Sequence, residues 1–247
     1  SYVDSHGVNM NVGFSRAIPQ RDGILTFGPL VEYGTGSYDS YLDDGTHGSG
    51  NTHSFGLGAF IRKDKKGGLW YEGSLRFGRI SSDYQSVLNS GTTPVSYDSS
   101  SHYYAAHLGL GRIIPVGKSA SLDVYGKYFF THQTGAGADL STGEHYEFDA
   151  VNSSRLRIGT RYTHSVNDRS ALYAGLAYEY EFAGDARATY NGMSTPSPSI
   201  KGGSGFVELG WRVKPAKKNP LTIDLGLNYC QGKHEGLTVN TGLEWKF

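Results

Sequence analysis

The chain has 247 residues, 35 of them Gly and 18 Tyr, and its 23 Lys plus Arg balance 23 Asp plus Glu, so the basic excess of a nucleic-acid binder is missing. A single Cys excludes an internal disulfide and an all-Cys metal cluster. A mean hydropathy of −0.43, with no run near the ~18 apolar residues of a membrane helix, excludes a helical membrane protein but not a membrane barrel, whose strands are only half apolar.

In chain order the apolar positions recur at every second place. This alternation predicts eleven strands, over residues 6–16, 23–38, 52–62, 69–81, 102–114, 119–132, 153–164, 170–182, 203–213, 220–231 and 236–247. Met10, Val12 and Phe14 share one face of the first strand, and Phe55, Leu57, Ala59 and Ile61 one face of the third. Leu122, Val124, Tyr128 and Phe130 do so in the sixth, and Leu172, Ala174, Leu176, Tyr178 and Tyr180 in the eighth. Val207, Leu209 and Trp211 follow in the ninth, and Leu237, Val239, Leu243, Trp245 and Phe247 close the chain. A helix would need apolar spacings of three and four. Several strands exceed ten residues, which is long for a soluble strand and suits a tilted strand crossing a bilayer. Tyr33, Phe130, Tyr180, Trp211 and Trp245 fall toward strand ends, where amphipathic rings match the lipid headgroup level. A soluble sandwich or lipocalin-like barrel would alternate in the same way. Strand length and loop asymmetry favour the membrane.

The connections after the first, third, fifth, seventh and ninth strands are short and rich in turn residues. Those after the second, fourth, sixth and eighth are long and polar, as in the stretch Tyr41 to Gly50, and the tenth, from Gln231 to Glu235, is tight. Short turns at one end and long loops at the other mark an outer-membrane barrel with its turns in the periplasm. With the last strand ending there, the first of eleven starts outside. Bacterial single-chain barrels have even strand numbers, so the expectation is a transmembrane antiparallel all-β barrel of twelve strands, about eleven of them in this chain. Residues 1–247 form one barrel domain in this reading, with the first strand upstream of Ser1. The alternative is a strand hidden in residues 83–101 or 140–152.

The opposite strand faces line the lumen. Their acids are Glu32, Glu72, Asp123, Glu179, Glu181, Glu208, Asp224 and Glu244, and their bases Arg62, Arg76, Lys127, Arg155, Arg157, Arg161, Arg212 and Lys246. The Arg ladder of the seventh strand is expected to pair with Glu179 and Glu181 of the eighth. A selective pore would carry a ring of one sign, so the balance points to a lumen that is internally paired or occupied. Gly28, Gly56, Gly58, Gly109, Gly159, Gly175, Gly210, Gly226 and Gly242 also face in and leave room for a chain inside, or for strand bending.

No catalytic residue is assigned. Ser101 and His102 share one strand, the wrong geometry for a Ser-His pair, and no nucleophile elbow precedes a helix. The nine His show no metal-ligand spacing, so no metal or cofactor is expected. His107 has only Ala105 and Gly109 beside it on its own face, and Cys230 reads as an unreactive small residue.

The C-terminal octet, with Asn240, Gly242, Leu243, Trp245 and terminal Phe247, resembles the signal read by the outer-membrane barrel-assembly machinery. Blocks over most of the chain resemble the translocator domain of classical, type V autotransporters. They are Gly28 to Gly34, Gly36 to Tyr38, Glu72 to Arg79, Asp123 to Phe129, Arg155 to Gly159, Gly232 to Gly236 and the last strand. The resemblance implies a twelve-stranded barrel in the outer membrane of a Gram-negative bacterium. It also implies partners: outer-membrane lipid, the assembly machinery, and the protein's own linker helix and passenger in the lumen. Some members cut their own linker, but the junction is not in this chain. A small-molecule porin of twelve strands, an outer-membrane enzyme, and a surface adhesin using loop residues Tyr38, Tyr41, Tyr97 and Tyr190 are the rivals.

Overall fold

The computed structural model describes residues 2–247 except 42–46, 88–93, 140, 142, 144, 184–187, 191–192, 195–200 and 234. The strands are β1 (Tyr2–Gln20), β2 (Gly23–Tyr41), β3 (His47–Lys65), β4 (Leu69–Val87), β5 (Pro94–Val116), β6 (Ala120–Gln133), β7 (Ala136–Asp139), β8 (His145–Phe148), β9 (Val151–Ser165), β10 (Ser170–Glu181), β11 (Ala188–Tyr190), β12 (Met193–Ser194), β13 (Gly202–Val213), β14 (Leu221–Gly232) and β15 (Glu235–Lys246). Eleven of them close one barrel in the order β1-β15-β14-β13-β10-β9-β6-β5-β4-β3-β2. The short strands β7, β8, β11 and β12 form a separate four-stranded sheet built from the long connections.

The alternation sends apolar side chains outward. Leu75, Leu108, Leu110, Leu176 and Ile158 are each more than 60% exposed. A continuous belt of this kind is intolerable on a soluble monomer and is what a bilayer covers. The buried apolar residues are few and mostly aromatic: Trp70, Tyr103, Tyr125 and Tyr173 among them.

Every neighbouring barrel pair is antiparallel except the seam. There β1 and β15 run parallel, in register from Asp4↔Glu235 to Ser15↔Lys246. The expected all-antiparallel ring is therefore corrected at this one pair. With an odd number of strands, the first and last both run from the loop end to the turn end, so they can meet only in parallel. Besides the backbone ladder, Ser5 Oγ donates to the Glu235 carbonyl at 3.3 Å, Ser15 Oγ to Glu244 Oε1 at 2.7 Å, Asn9 Nδ2 to Asn240 Oδ1 at 3.3 Å and Phe247 N to Ser15 O at 3.0 Å across the seam.

Strands β1 to β5 run 19, 19, 19, 19 and 23 residues, longer than the alternation indicates. Beyond the apolar belt their outward residues are polar, as in Ser37, Ser49, Asn51, Ser81, Asp83, Asp98 and Ser100. The hydrophobic period stops there while the hydrogen-bond ladders continue, for example at Asp83↔Asp98. Among the described residues, neither candidate stretch supplies a further barrel strand. Residues 83–87 and 94–101 extend β4 and β5, and His145–Phe148 is β8 of the small sheet. Of the loop tyrosines, Tyr38 and Tyr97 lie on long strands, each with its ring near Tyr84 (centroids 6.3 and 5.0 Å away). The side chains of Tyr41 and Tyr190 lie outside the described residues.

Candidate functional site

In each barrel strand the residues between the outward apolar ones point into the lumen. Toward the turn end they line a cavity of about 840 Å³ whose wall includes Arg62, Glu72, Arg76, Asp123, Lys127, Arg161, Arg212, Asp224, Glu244 and Lys246. Charges this enclosed are costly unless paired, and most have partners on a neighbouring or next-neighbouring strand.

Glu72 is a hub. Arg62 stands 3.5 Å from its carboxylate, Lys127 3.6 Å and His107 Nε2 3.2 Å. The other ring nitrogen of His107 meets the Ser74 hydroxyl. His107 thus has partners after all, on β4, because register rather than its own strand supplies them (Ser74↔His107). Glu32 takes Arg76 at 2.8 Å and the Tyr103 hydroxyl at 2.6 Å. Glu179 is 2% exposed and receives Arg155 at 3.2 Å and Arg157 at 2.6 Å.

Two pairings differ from the expected ladder. Arg161 does not meet the acids of β10. It passes over Gly175 to hold Glu208 of β13 through two bonds, 2.6 and 3.0 Å long. Glu181, although opposite Arg155, is 1% exposed and neither carboxylate oxygen has a hydrogen-bond partner among the described residues. Arg212 reaches Asp224 at 3.2 Å, Asp123 accepts from Trp70 Nε1 at 2.8 Å, and Glu244 accepts from Ser15.

The alternation argument missed the lumenal aromatics, because it sorted aromatic rings to the lipid side. Trp70, Tyr103, Tyr125, Tyr173, Phe60, Phe129 and Phe206 all face in. Trp70, Tyr103, Tyr125 and Tyr173 lie along the wall over inward glycines: a Cβ on Gly210 or Gly226 would meet Tyr173, on Gly159 Tyr125, on Gly56 or Gly78 Tyr103, and on Gly111 Trp70. At those positions the space expected for a guest chain is filled by the barrel's own side chains. Lying along the wall also extends their reach. Tyr173 crosses β13 to donate to Asp224 on β14 at 2.5 Å. The same rings carry cations, with Arg62 4.3 Å from Trp70, Arg157 4.5 Å from Phe206 and Arg161 4.4 Å from Tyr173. A cation over a ring adds roughly 0.5–2 kcal/mol, more where water is excluded.

The terminal octet covers the end of β15 and, just beyond it, Phe247. Asn240 and Gly242 lie on its lumenal face and Leu243 is half-buried, whereas Trp245 is 43% and Phe247 69% exposed. Phe247 closes against Ser15 through its backbone N–H. Cys230 Sγ lies 3.7 Å from the Gly236 carbonyl.

The barrel resembles solved translocators. The β-domain of the Bordetella autotransporter BrkA superposes with a TM-score of 0.66 at 17% identity, over 92% of this chain and 83% of that one. The transport unit of AIDA-I from Escherichia coli gives 0.64 at 12% identity over 91% and 77%. The translocator domain of NalP from Neisseria meningitidis gives 0.57 at 13% identity over 94% and 82%. No curated protein sequence matches the chain. At these identities the superpositions establish the fold. The family described as the autotransporter β-domain matches residues 1–228, and the chain belongs to that family.

Proposed function

We propose that residues 1–247 act as one barrel domain that inserts into the Gram-negative outer membrane and carries a passenger segment to the cell surface, where it anchors it. The observation that carries this reading is the family match over residues 1–228 on a closed barrel with an outward apolar belt. The terminal residues Asn240, Gly242, Leu243, Trp245 and Phe247 serve as the signal for the barrel-assembly machinery, and a linker of the same polypeptide is the lumenal partner. The paired charges of the wall act as its structural lining. A one-sign ring, which a selective porin needs, is not what the described wall residues form.

The barrel itself works without catalysis in this reading. The Ser74–His107–Glu72 contact has the residue types of a hydrolytic relay, yet Glu72 is already engaged by Arg62 and Lys127. We read it as a structural link between β4 and β5. Covalent labelling of Ser74 by a fluorophosphonate would overturn that.

The secretion reading is tested by immunoblotting outer-membrane fractions with an antibody against the β15 strand. The expected result is a precursor far larger than 26.8 kDa, or a barrel fragment accompanied by a released larger one. A single stable band near the mass of the chain would sink the reading.

A further inference from the structure

Just beyond the apolar belt, at the loop end, four adjacent strands turn a basic row outward. His53 on β3, Arg79 on β4 and His102 on β5 are exposed, and His132 on β6 is half-buried. Arg79 and His102 stand directly opposite each other. His53 is opposite Ser81, the next outward residue after Arg79. His132 is opposite Tyr104, the next after His102. Three strand spacings make the row about 14 Å wide.

Its chemistry is one-sided. The nearest outward carboxylates on these strands, Asp83 and Asp98, face each other four residues beyond Arg79 and His102, about 13 Å away, although Asp83, opposite Asn51, lies only two residues beyond the level of His53. Asp39 of β2 lies farther still, level with Ser49 and Gln85. Arg79 Nε donates to Ser100 Oγ at 2.7 Å. That bond aims the guanidinium, and its two terminal amino groups have no partner among the described residues. His132 Nδ1 sits 2.6 Å from Asn152 Oδ1, and its ring stacks on Tyr104 with centroids 6.4 Å apart. Below the row, Phe55, Phe77 and Tyr104 are 54%, 57% and 56% exposed. The comparable outward places on β10, β13 and β14 hold Phe182, Gly203 and Gln231, none of them basic, whereas on β1 the exposed His6 stands opposite Ser37, one outward place beyond the Thr35 that faces His53.

A planar guanidinium with two free amino groups matches a phosphate bidentately. Here the neighbour at that height is a lipid headgroup, and the rings below offer a surface for its acyl chains. We propose that His53, Arg79, His102 and His132 form a docking site for the phosphates of an anionic outer-leaflet glycolipid, with Arg79 as its anchor. The inference rests on the outer-membrane placement of the barrel and adds to it a ligand class and a side.

The test titrates the folded full chain in detergent micelles with diphosphorylated lipid A and, separately, with fully dephosphorylated lipid A, and reads binding by native mass spectrometry. Removing the lipid phosphates, or Arg79→Ser, is expected to weaken binding by about tenfold. The double variant His53→Ser, His102→Ser is expected to lose a smaller factor. Arg16→Ser, which removes an exposed cation at the turn end, is expected to bind as the parent does. Equal affinity for the dephosphorylated lipid, or unchanged binding by Arg79→Ser, or an equal loss in Arg16→Ser, would overturn the proposal. All variants are first checked for heat-modifiable migration and for insertion into vesicles. A parent chain that fails to insert would overturn the membrane placement itself, and the docking site with it.

Discussion

The lumenal wall depends on a division of labour between glycine and aromatic residues. A glycine on one strand opens a shallow slot, and a ring from the next strand fills it and reaches an acid beyond. Tyr173 over Gly210 to Asp224, and Tyr103 over Gly78 and Gly56 to Glu32, are two such spans. The acids so reached also hold arginines, so rings, acids and cations stabilise one another. Glu179 is the most exposed to loss. It is 2% exposed and is the acid that Arg155 and Arg157 both reach. Glu179→Ala would leave two guanidinium groups facing a dry wall. Breaking such a pair costs roughly 3–5 kcal/mol, toward the lower end here because both arginines keep some exposure (30% and 24% of their side chains). Urea unfolding of the barrel in vesicles should show that loss. A change below about 1 kcal/mol, the range of exposed pairs, would mean that water solvates these arginines freely.

Among the elements, the turn joining β1 to β2 is clamped to β3. Lys63, 6% exposed, reaches Asp22 at 2.7 Å and also contacts Gln20, and Lys65 stands 3.9 Å from Asp22. The hydrogen bond from Lys63 holds the Asp22 carboxyl below its ordinary value of 3.8. A lowered carboxyl contributes stability that is complete above the unfolded value and is lost as pH falls through the folded one. The parent should therefore melt above Asp22→Asn at pH 6, and the gap should close as pH drops below 3.8. Thermal scans of both proteins across that range check it, and a gap that stays constant with pH would refute the clamp. On the small outer sheet the sign reverses. Asp139 beside His145 raises the imidazole above its ordinary 6.5, so that contact weakens as pH rises.

For the whole molecule, the balance of charge bears on what can pass. Acids and bases meet in pairs around the wall, from the Glu32–Arg76 contact to the Glu208–Arg161 contact. Selectivity needs an unbalanced ring of one sign. In planar bilayers with a salt gradient, the reconstituted barrel should show a reversal potential near zero. A reversal potential close to that of an ideally anion- or cation-selective channel would restore the porin reading.

Much of this was readable in the residues. Period-two alternation, set by the pleat, marked each barrel strand and its outward apolar side, and the asymmetry of turns and loops distinguished the two ends of the barrel. Strand ends were not readable where β1 to β5 leave the bilayer, because both faces become polar there and the period disappears while the ladder goes on. Parity placed the sixteen charges on lumenal faces but could not say which would meet. Partners such as Arg161 and Glu208 are 47 residues apart in the chain, and only register and a glycine between them bring them together. The same holds for His107 with Ser74 and Glu72, for the rings laid over glycines, and for the parallel seam between β1 and β15. Local sequence determines which way a side chain points. Which side chain it meets depends on how strands far apart in the chain are aligned, and only the closed barrel fixes that alignment.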